Sequence, residues 1–141
     1  MSRELLKNHP DITKFTTIWM DSIRNGEFGL SNTNKLIRFY QGANGMKTGS
    51  TAAAKYCLSA TAERDGMELI AVVMGSATSK DRFAACKTLL DYGFANFSTA
   101  LPELPNALTV PVKLGKQDMV TAVPAGAGAL LVDKGQKNQL T

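Results

Sequence analysis

The sequence predicts an α+β fold: an antiparallel sheet with packed helices, followed by the first strands of a small all-β domain. Three observations carry this. Asp65-Gly66 is a two-residue hairpin turn set between two apolar runs, residues 56–62 and 67–74. Phe83, Cys86, Leu89, Leu90, Gly93, Phe94 and Phe97 recur at helical spacing, so residues 80–97 form an amphipathic helix lying on the sheet. After Phe97 the helical period is lost, and short strand-like runs alternate with Gly, Pro, Asp and Lys.

The elements follow in order. Residues 1–8 read as a helix with Leu5 and Leu6 on its apolar side, and His9-Pro10 ends it. Residues 12–20, rich in Thr, Ile, Phe and Trp, favour an extended or mixed segment. Asn25-Gly26 marks a turn, and residues 32–40 a short helix. Gly42, Gly45 and Gly49 stand close together, so the backbone there must bend or be closely approached. The second strand of the Asp65-Gly66 hairpin is continuously apolar and is expected to be buried on both faces. Residues 75–79 form a loop in which Thr78 or Ser79 can cap the next helix. Residues 101–106 read as a linker, and residues 108–114, 119–123 and 129–132 as short strands. The expected division is 1–98 for the α+β part and 99–141 for an incomplete β-rich domain.

Composition excludes several classes. The 141 residues are 44% hydrophobic and 20% charged, with a net charge of +4, as in an ordinary globular chain. Residues 1–100 carry 12 basic and 9 acidic side chains, and nowhere do Lys and Arg cluster with aromatics, so nucleic acid is not an expected partner. The longest apolar stretch, residues 69–74, is far short of the roughly 20 that a membrane helix needs. The first eight residues have neither the apolar core nor the cleavage site of a signal peptide. Cys57 and Cys86 can pair or stay reduced, and their apolar surroundings favour two buried thiols. Neither belongs to a metal-ligand cluster, so no metal or other cofactor is expected. His9 is the sole histidine and precedes a proline, which leaves no Ser-His-Asp set. Glu63 and Asp65 flank a turn and read as solvated.

Chemistry concentrates in Lys47-Thr48-Gly49, directly before the hairpin. On a strand facing a cleft, the lysine supplies positive charge and the threonine hydroxyl a short hydrogen bond to a substrate carboxylate. The glycine lets substrate backbone approach the strand edge. The triplet is the third motif of penicillin-binding proteins and β-lactamases, after Ser-x-x-Lys and a Ser-x-Asn-type element.

Its context is more specific. Residues 32–36 and 42–49, Tyr56-Cys57-Leu58, residues 66–75 and Leu89-Leu90-Asp91-Tyr92-Gly93-Phe94 resemble, in order and spacing, the low-molecular-mass penicillin-binding proteins, the serine D-alanyl-D-alanine carboxypeptidases. Residues 112–118 are similar to the start of that family's carboxy-terminal β domain. One departure is Lys55, where the family usually has glycine. The resemblance implies a serine β-lactamase/transpeptidase-like fold and a cleft lined by Lys47, Thr48, Gly49 and Ser50. It also implies that Arg82 helps hold the terminal carboxylate of the substrate. A cation in the first turn of a helix opposes the helix dipole, which is consistent with a task, though a plain surface arginine fits the sequence equally well.

The resemblance further implies a peptidoglycan stem peptide ending in D-Ala-D-Ala as substrate, β-lactam antibiotics as inhibitors, and a place at the outer face of the cytoplasmic membrane. The family's nucleophile is a serine with lysine three positions on. Here the residues three after the eight serines are Leu5, Asn25, Asn34, Ala53, Ala62, Ser79, Arg82 and Leu101. No serine or tyrosine has asparagine two positions on. The missing motifs lie ahead of the Lys-Thr-Gly strand in the family, so the chain is expected to be truncated at its front and to end within the β domain. It is then inactive alone, with apolar surface open to self-association. A non-catalytic peptidoglycan-binding or structural module is the alternative reading.

Overall fold

Three consecutive strands, β3 (Ala43–Thr51), β4 (Lys55–Arg64) and β5 (Met67–Ser76), pair antiparallel in the order β3-β4-β5. This computed structural model describes residues 1–101, 107–123 and 128–139. The chain divides into two units, Met1–Ala95 and Asn96–Thr141. Ahead of the sheet come α1 (Ser2–Asn8), a 3-10 turn (Pro10–Ile12), α2 (Thr13–Thr16), the hairpin β1 (Met20–Ile23) and β2 (Phe28–Ser31), and α3 (Leu36–Phe39). After it comes α4 (Ser79–Asn96).

The β4–β5 hairpin forms where expected: Asp65 and Gly66 take φ of +51° and +73°, as a two-residue turn with left-handed central residues requires. The register places Met46 opposite Ala60, and Ala60 opposite Ala71, on one face. Lys47, Ser59 and Val72 share the other. α4 lies on the first face. Gly93 sits so close to β5 that a Cβ there would come within 2.4 Å of Leu69 Cδ1. Cys86, Leu58 and Leu90 fill the space between, each at most 1% exposed. Burying Leu58 and Leu90 contributes roughly 1.5–3 kcal/mol apiece. Thr78 supplies the α4 cap: its Oγ1 accepts from Asp81 N at 3.1 Å, and Asp81 Oδ2 accepts from Thr78 N at 3.1 Å. The reciprocal pair satisfies two amides that a helix start leaves without partners.

Beneath the far end of α4, Arg64 is sandwiched between Tyr40 and Phe94, its guanidinium carbon 4.6 and 4.4 Å from the two ring centroids. Tyr40 donates to Asp91 Oδ1 at 2.8 Å, tying α3 to α4.

Three expectations need correction. β5 is not buried on both faces: Val72 and Met74 are 54% and 78% exposed. β5 is an edge strand among the described residues, and no element covers that part of its outward face. Residues 12–20 are mixed, the second of the two expected readings: Thr13–Thr16 is helical, with Thr13 Oγ1 donating to Pro10 O at 2.8 Å and Thr17 Oγ1 to Thr13 O at 2.7 Å, and strand begins at Met20. The 83–97 pattern overruns the helix, since Phe97 begins a strand and Leu89 is 50% exposed. Of the two thiols, both free, Cys86 is buried and Cys57 half-buried.

In the second unit β6 (Phe97–Ala100) pairs antiparallel with β9 (Leu130–Asp133), and β7 (Leu108–Pro111) with β8 (Met119–Ala122). A 3-10 segment, Lys134–Gln139, follows. Residues 102–106, most of the expected linker, lie outside the described residues.

Candidate functional site

The Lys-Thr-Gly triplet lies on β3, whose outer edge carries no partner strand among the described residues. The strand is fixed there by its glycines. Gly42 enters it at φ +80°, and a Cβ at this position would stand 2.3 Å from Glu63 O. At Gly45 a Cβ would stand 2.8 Å from Thr61 Oγ1. Thus β3 can lie flat on β4 only where these two positions lack side chains.

Behind the triplet, the 32–34 loop acts as a brace. Asn34, 2% exposed, donates Nδ2 to Gly45 O at 2.8 Å and accepts from Leu36 N on Oδ1 at 3.2 Å. Asn32 Oδ1 accepts from Asn34 N at 2.9 Å, and its Nδ2 donates to Thr16 O and Ile18 O, both at 3.0 Å. Thr33 is thereby held with its Oγ1 2.6 Å from Thr48 Oγ1.

The sequence-derived site residues fall as follows. Lys47 is exposed, and Nζ donates to the Thr48 carbonyl at 2.5 Å. Thr48 is 8% exposed. Either hydroxyl can donate in this pair, and in the arrangement where Thr33 donates the Thr48 hydroxyl hydrogen is left for another acceptor. Gly49 is exposed, and a Cβ built there meets nothing within 4 Å, so the edge is open to an approaching backbone. Ser50 is exposed and pairs with Tyr56 on the face opposite Lys47.

Arg82 is no plain surface arginine. It is 7% exposed, and Nη1 donates to Gly49 O at 3.2 Å and to Cys57 O at 3.3 Å. Its guanidinium carbon lies 5.5 Å from the Tyr56 ring centroid and 4.9 Å from that of Phe83. Buried guanidinium groups ordinarily meet a carboxylate. Here the protein offers two carbonyls and two aromatic faces, and Nε has no partner. Lys47 and Thr48 stand on opposite faces of the edge strand β3, Arg82 lies against the carbonyls of Gly49 and Cys57 on β3 and β4, and none of the three has an acidic partner among its contacts. Such a set recognises an anion.

Sequence reasoning missed Thr33 and Asn34. Asn32-Thr33-Asn34 ahead of a short helix is an Asx-turn signature, which marks a shaped loop but not the strand it touches.

Comparison with known proteins decides the family. The family profile described as D-alanyl-D-alanine carboxypeptidase matches residues 1–78, more than half of the chain. The chain belongs to the D-alanyl-D-alanine carboxypeptidase family. Among curated members it is 40% identical over 141 residues to the carboxypeptidase DacF of Bacillus subtilis, covering 96% of this chain and 36% of that protein. With DacC of Escherichia coli it is 39% identical over 99 residues, or 69% of this chain and 25% of that one. This carboxypeptidase-family chain thus spans about a third or less of these relatives. Among solved structures, penicillin-binding protein 5 of Haemophilus influenzae superposes with a TM-score of 0.80 at 29% identity, covering 96% of this chain and 40% of that one. A penicillin-binding protein of Listeria monocytogenes in its ampicillin-bound form gives 0.61 at 35% identity over 66% of this chain and 38% of that one. The fold is accordingly of the transpeptidase type expected from the resemblance.

Proposed function

We propose that this chain forms the substrate-binding edge of a serine-type D-Ala-D-Ala carboxypeptidase, which trims the terminal D-Ala from peptidoglycan stem peptides through an acyl-enzyme. The carrying observation is the open β3 edge, where Lys47 and Thr48 stand and Arg82 lies buried against Gly49 O, none with an acidic partner. In this reading the terminal carboxylate of the stem peptide meets the Thr48 hydroxyl and the charge of Lys47. Arg82, braced on Gly49 O, holds that segment of strand and adds its positive field. The peptide backbone runs along Gly49 and Ser50.

None of these residues forms a covalent bond to substrate. No serine of the 141 has lysine three positions on, so a serine outside this set would be acylated by the penultimate D-Ala and the acyl-enzyme then hydrolysed. β-Lactams would occupy the same edge as inhibitors. The site of action is the outer face of the cytoplasmic membrane, with residues 1–98 as part of the catalytic domain and 99–141 as β-rich domain. The lack of a Ser-x-x-Lys element also favours a second reading, a peptidoglycan-binding module without catalysis. Val72, Met74, Leu89 and Tyr92, 50–78% exposed, make self-association of the isolated chain an expected property, read by light scattering.

The test is an NMR titration of the 15N-labelled chain with diacetyl-Lys-D-Ala-D-Ala. Saturable shifts at Thr48 and Gly49 are expected, weakened at least fivefold by Lys47→Gln, a loss typical of one charged contact. Neither D-Ala release nor covalent labelling by a fluorescent penicillin is expected. A penicillin adduct abolished by Ser50→Ala would place the nucleophile in this chain and overturn the assignment of roles.

A further inference from the structure

Between α3 and the first half of α4 lies a groove of about 620 Å³ that shares no residue with the β3 edge. Lys35, Leu36 and Phe39 form one wall. Lys80, Phe83, Ala84 and Lys87 form the other, and their spacing of three, four and seven sets them on one stripe of α4, distinct from the one that buries Cys86 and Leu90. Leu36 is buried, whereas Phe39 is 73% exposed and meets Trp19 edge-on, ring centroids 6.0 Å apart. An exposed aromatic beside an apolar floor keeps water on apolar surface, which an entering side chain would displace. Charge then selects the occupant. No residue lining the groove is acidic. Lys87 shares its ammonium with Asp91 Oδ2 at 2.6 Å, while among the described residues neither Lys35 nor Lys80 has a carboxylate partner. Lys80 and Lys87 stand two helical turns apart, about 10 Å along the axis, and Lys35 lies on the opposite wall. One headgroup meets one such ammonium, whereas three spread along a groove suit a chain that carries carboxylates at intervals. A bilayer fits less well, because membrane-binding faces project their apolar side chains outward and here they line a concavity.

We propose that this groove docks an acidic amphipathic segment of a partner protein, with a large apolar side chain seated between Phe39 and Phe83 and carboxylates meeting Lys35, Lys80 and Lys87. The proposal stands apart from the carboxypeptidase reading, since none of these residues belongs to the β3 edge.

The experiment titrates the 15N-labelled chain, followed by NMR, with acetyl-Glu-Glu-Leu-Phe-Glu-Glu-Leu-amide and with the same peptide carrying Gln for every Glu. The amide end removes the terminal carboxylate that the β3 edge would hold. Saturable shifts are expected at Lys35, Phe39, Lys80, Phe83 and Lys87. The Gln peptide should bind about fivefold more weakly or worse, the effect of two exposed ion pairs. Lys35→Gln combined with Lys80→Gln should weaken the Glu peptide by a similar factor, and the corresponding pair of Arg variants should stay within about twofold of wild type. Phe39→Ala, at an exposed position that leaves the fold intact, should weaken both peptides alike. Equal affinities for the two peptides, undiminished binding in the double Gln variant, or shifts confined to Thr48 and Gly49 would overturn the proposal. Phosphatidylglycerol vesicles that move the groove resonances where the peptide does not would assign the groove to a membrane surface instead. Groove shifts that follow chain concentration with no peptide present would assign it to a second copy, and either outcome overturns the partner named here.

Discussion

Replacing Arg82 by methionine removes the guanidinium while keeping most of its apolar stem, and the structure allows the effect to be worked through. Two hydrogen bonds from a charged donor are lost, to Gly49 O and Cys57 O. At 3.2 and 3.3 Å they are long, so the low end of the usual range applies, about 1.5 kcal/mol each. Contact with the Tyr56 and Phe83 rings adds about 0.5–1 kcal/mol. Against this, removing a cation from the first turn of α4 returns about 0.5 kcal/mol, and relieving a buried charge without a carboxylate returns about 1 kcal/mol or more. The net is a loss of about 2 kcal/mol. With a urea slope of about 2 kcal/mol/M, the midpoint falls by about 1 M. Urea unfolding followed by circular dichroism measures it, and the Thr48 and Gly49 amide shifts show whether β3 has moved. Arg82→Lys should recover less than half, because both bonds come from Nη1, beyond the reach of the shorter lysine stem, and an ammonium lacks the guanidinium plane that lies against the Tyr56 and Phe83 rings. A methionine variant as stable as wild type, with unmoved Thr48 and Gly49 amides, would refute the claim that Arg82 holds the triplet strand.

Gly42→Ala should be among the most damaging small substitutions, costing about 3 kcal/mol or more, since φ is +80° and the new methyl would meet Glu63 O at 2.3 Å; thermal melts give the value. The Tyr40 phenol is pushed up to about 12, first by burial and then by its hydrogen bond to Asp91. A pKa raised on folding stabilises the protein below the unfolded value of about 10, and that contribution is lost as pH rises through about 12. Absorbance at 295 nm should show one tyrosine titrating late, and Tyr40→Phe should remove that step and flatten the alkaline fall in stability. Burial raises the Cys86 thiol to about 11 despite Arg82 nearby, so Ellman's reagent should modify Cys57 in the native chain and Cys86 only on unfolding. Fast modification of both thiols without denaturant would count against the packing of α4 on the sheet.

What the sequence revealed was local chemistry. Asp65-Gly66 between two apolar runs specifies a hairpin from neighbouring residues, and the positive φ angles there are the ones such a turn needs. The α4 period was legible at Cys86, Leu90, Gly93 and Phe94, which face the sheet, and misleading at Leu89 and Phe97, which are apolar for other reasons. Thr13, Thr16 and Thr17 favour strand by propensity, yet their hydroxyls hold a helical turn against Pro10, Thr13 and Asn44. Nothing in the local pattern announces which carbonyl a hydroxyl will find. The same limit applies at the site. Lys47-Thr48-Gly49 and Arg82 could be read from motif and resemblance, whereas Thr33 and Asn34 act through contacts 15 and 11 positions along the chain. The exposure of Val72 and Met74 depends on what covers β5, which an apolar run alone does not encode.

The strands β3, β4 and β5 follow one another along the sheet in the order in which they are synthesised, and α4 comes directly after them. Their contacts are therefore short in sequence, and little loop entropy is spent before they form. Residues 43–96 can zip up from the Asp65-Gly66 turn outward, β4 with β5 first, then β3, with α4 settling onto the face they share. In this order Arg82 would join α4 to Gly49 and Cys57 at the last step. In that order the β3 edge would be completed after the sheet it belongs to. Changes at Ala60 or Ala71 should slow folding, while loss of the Arg82 contacts should chiefly hasten unfolding.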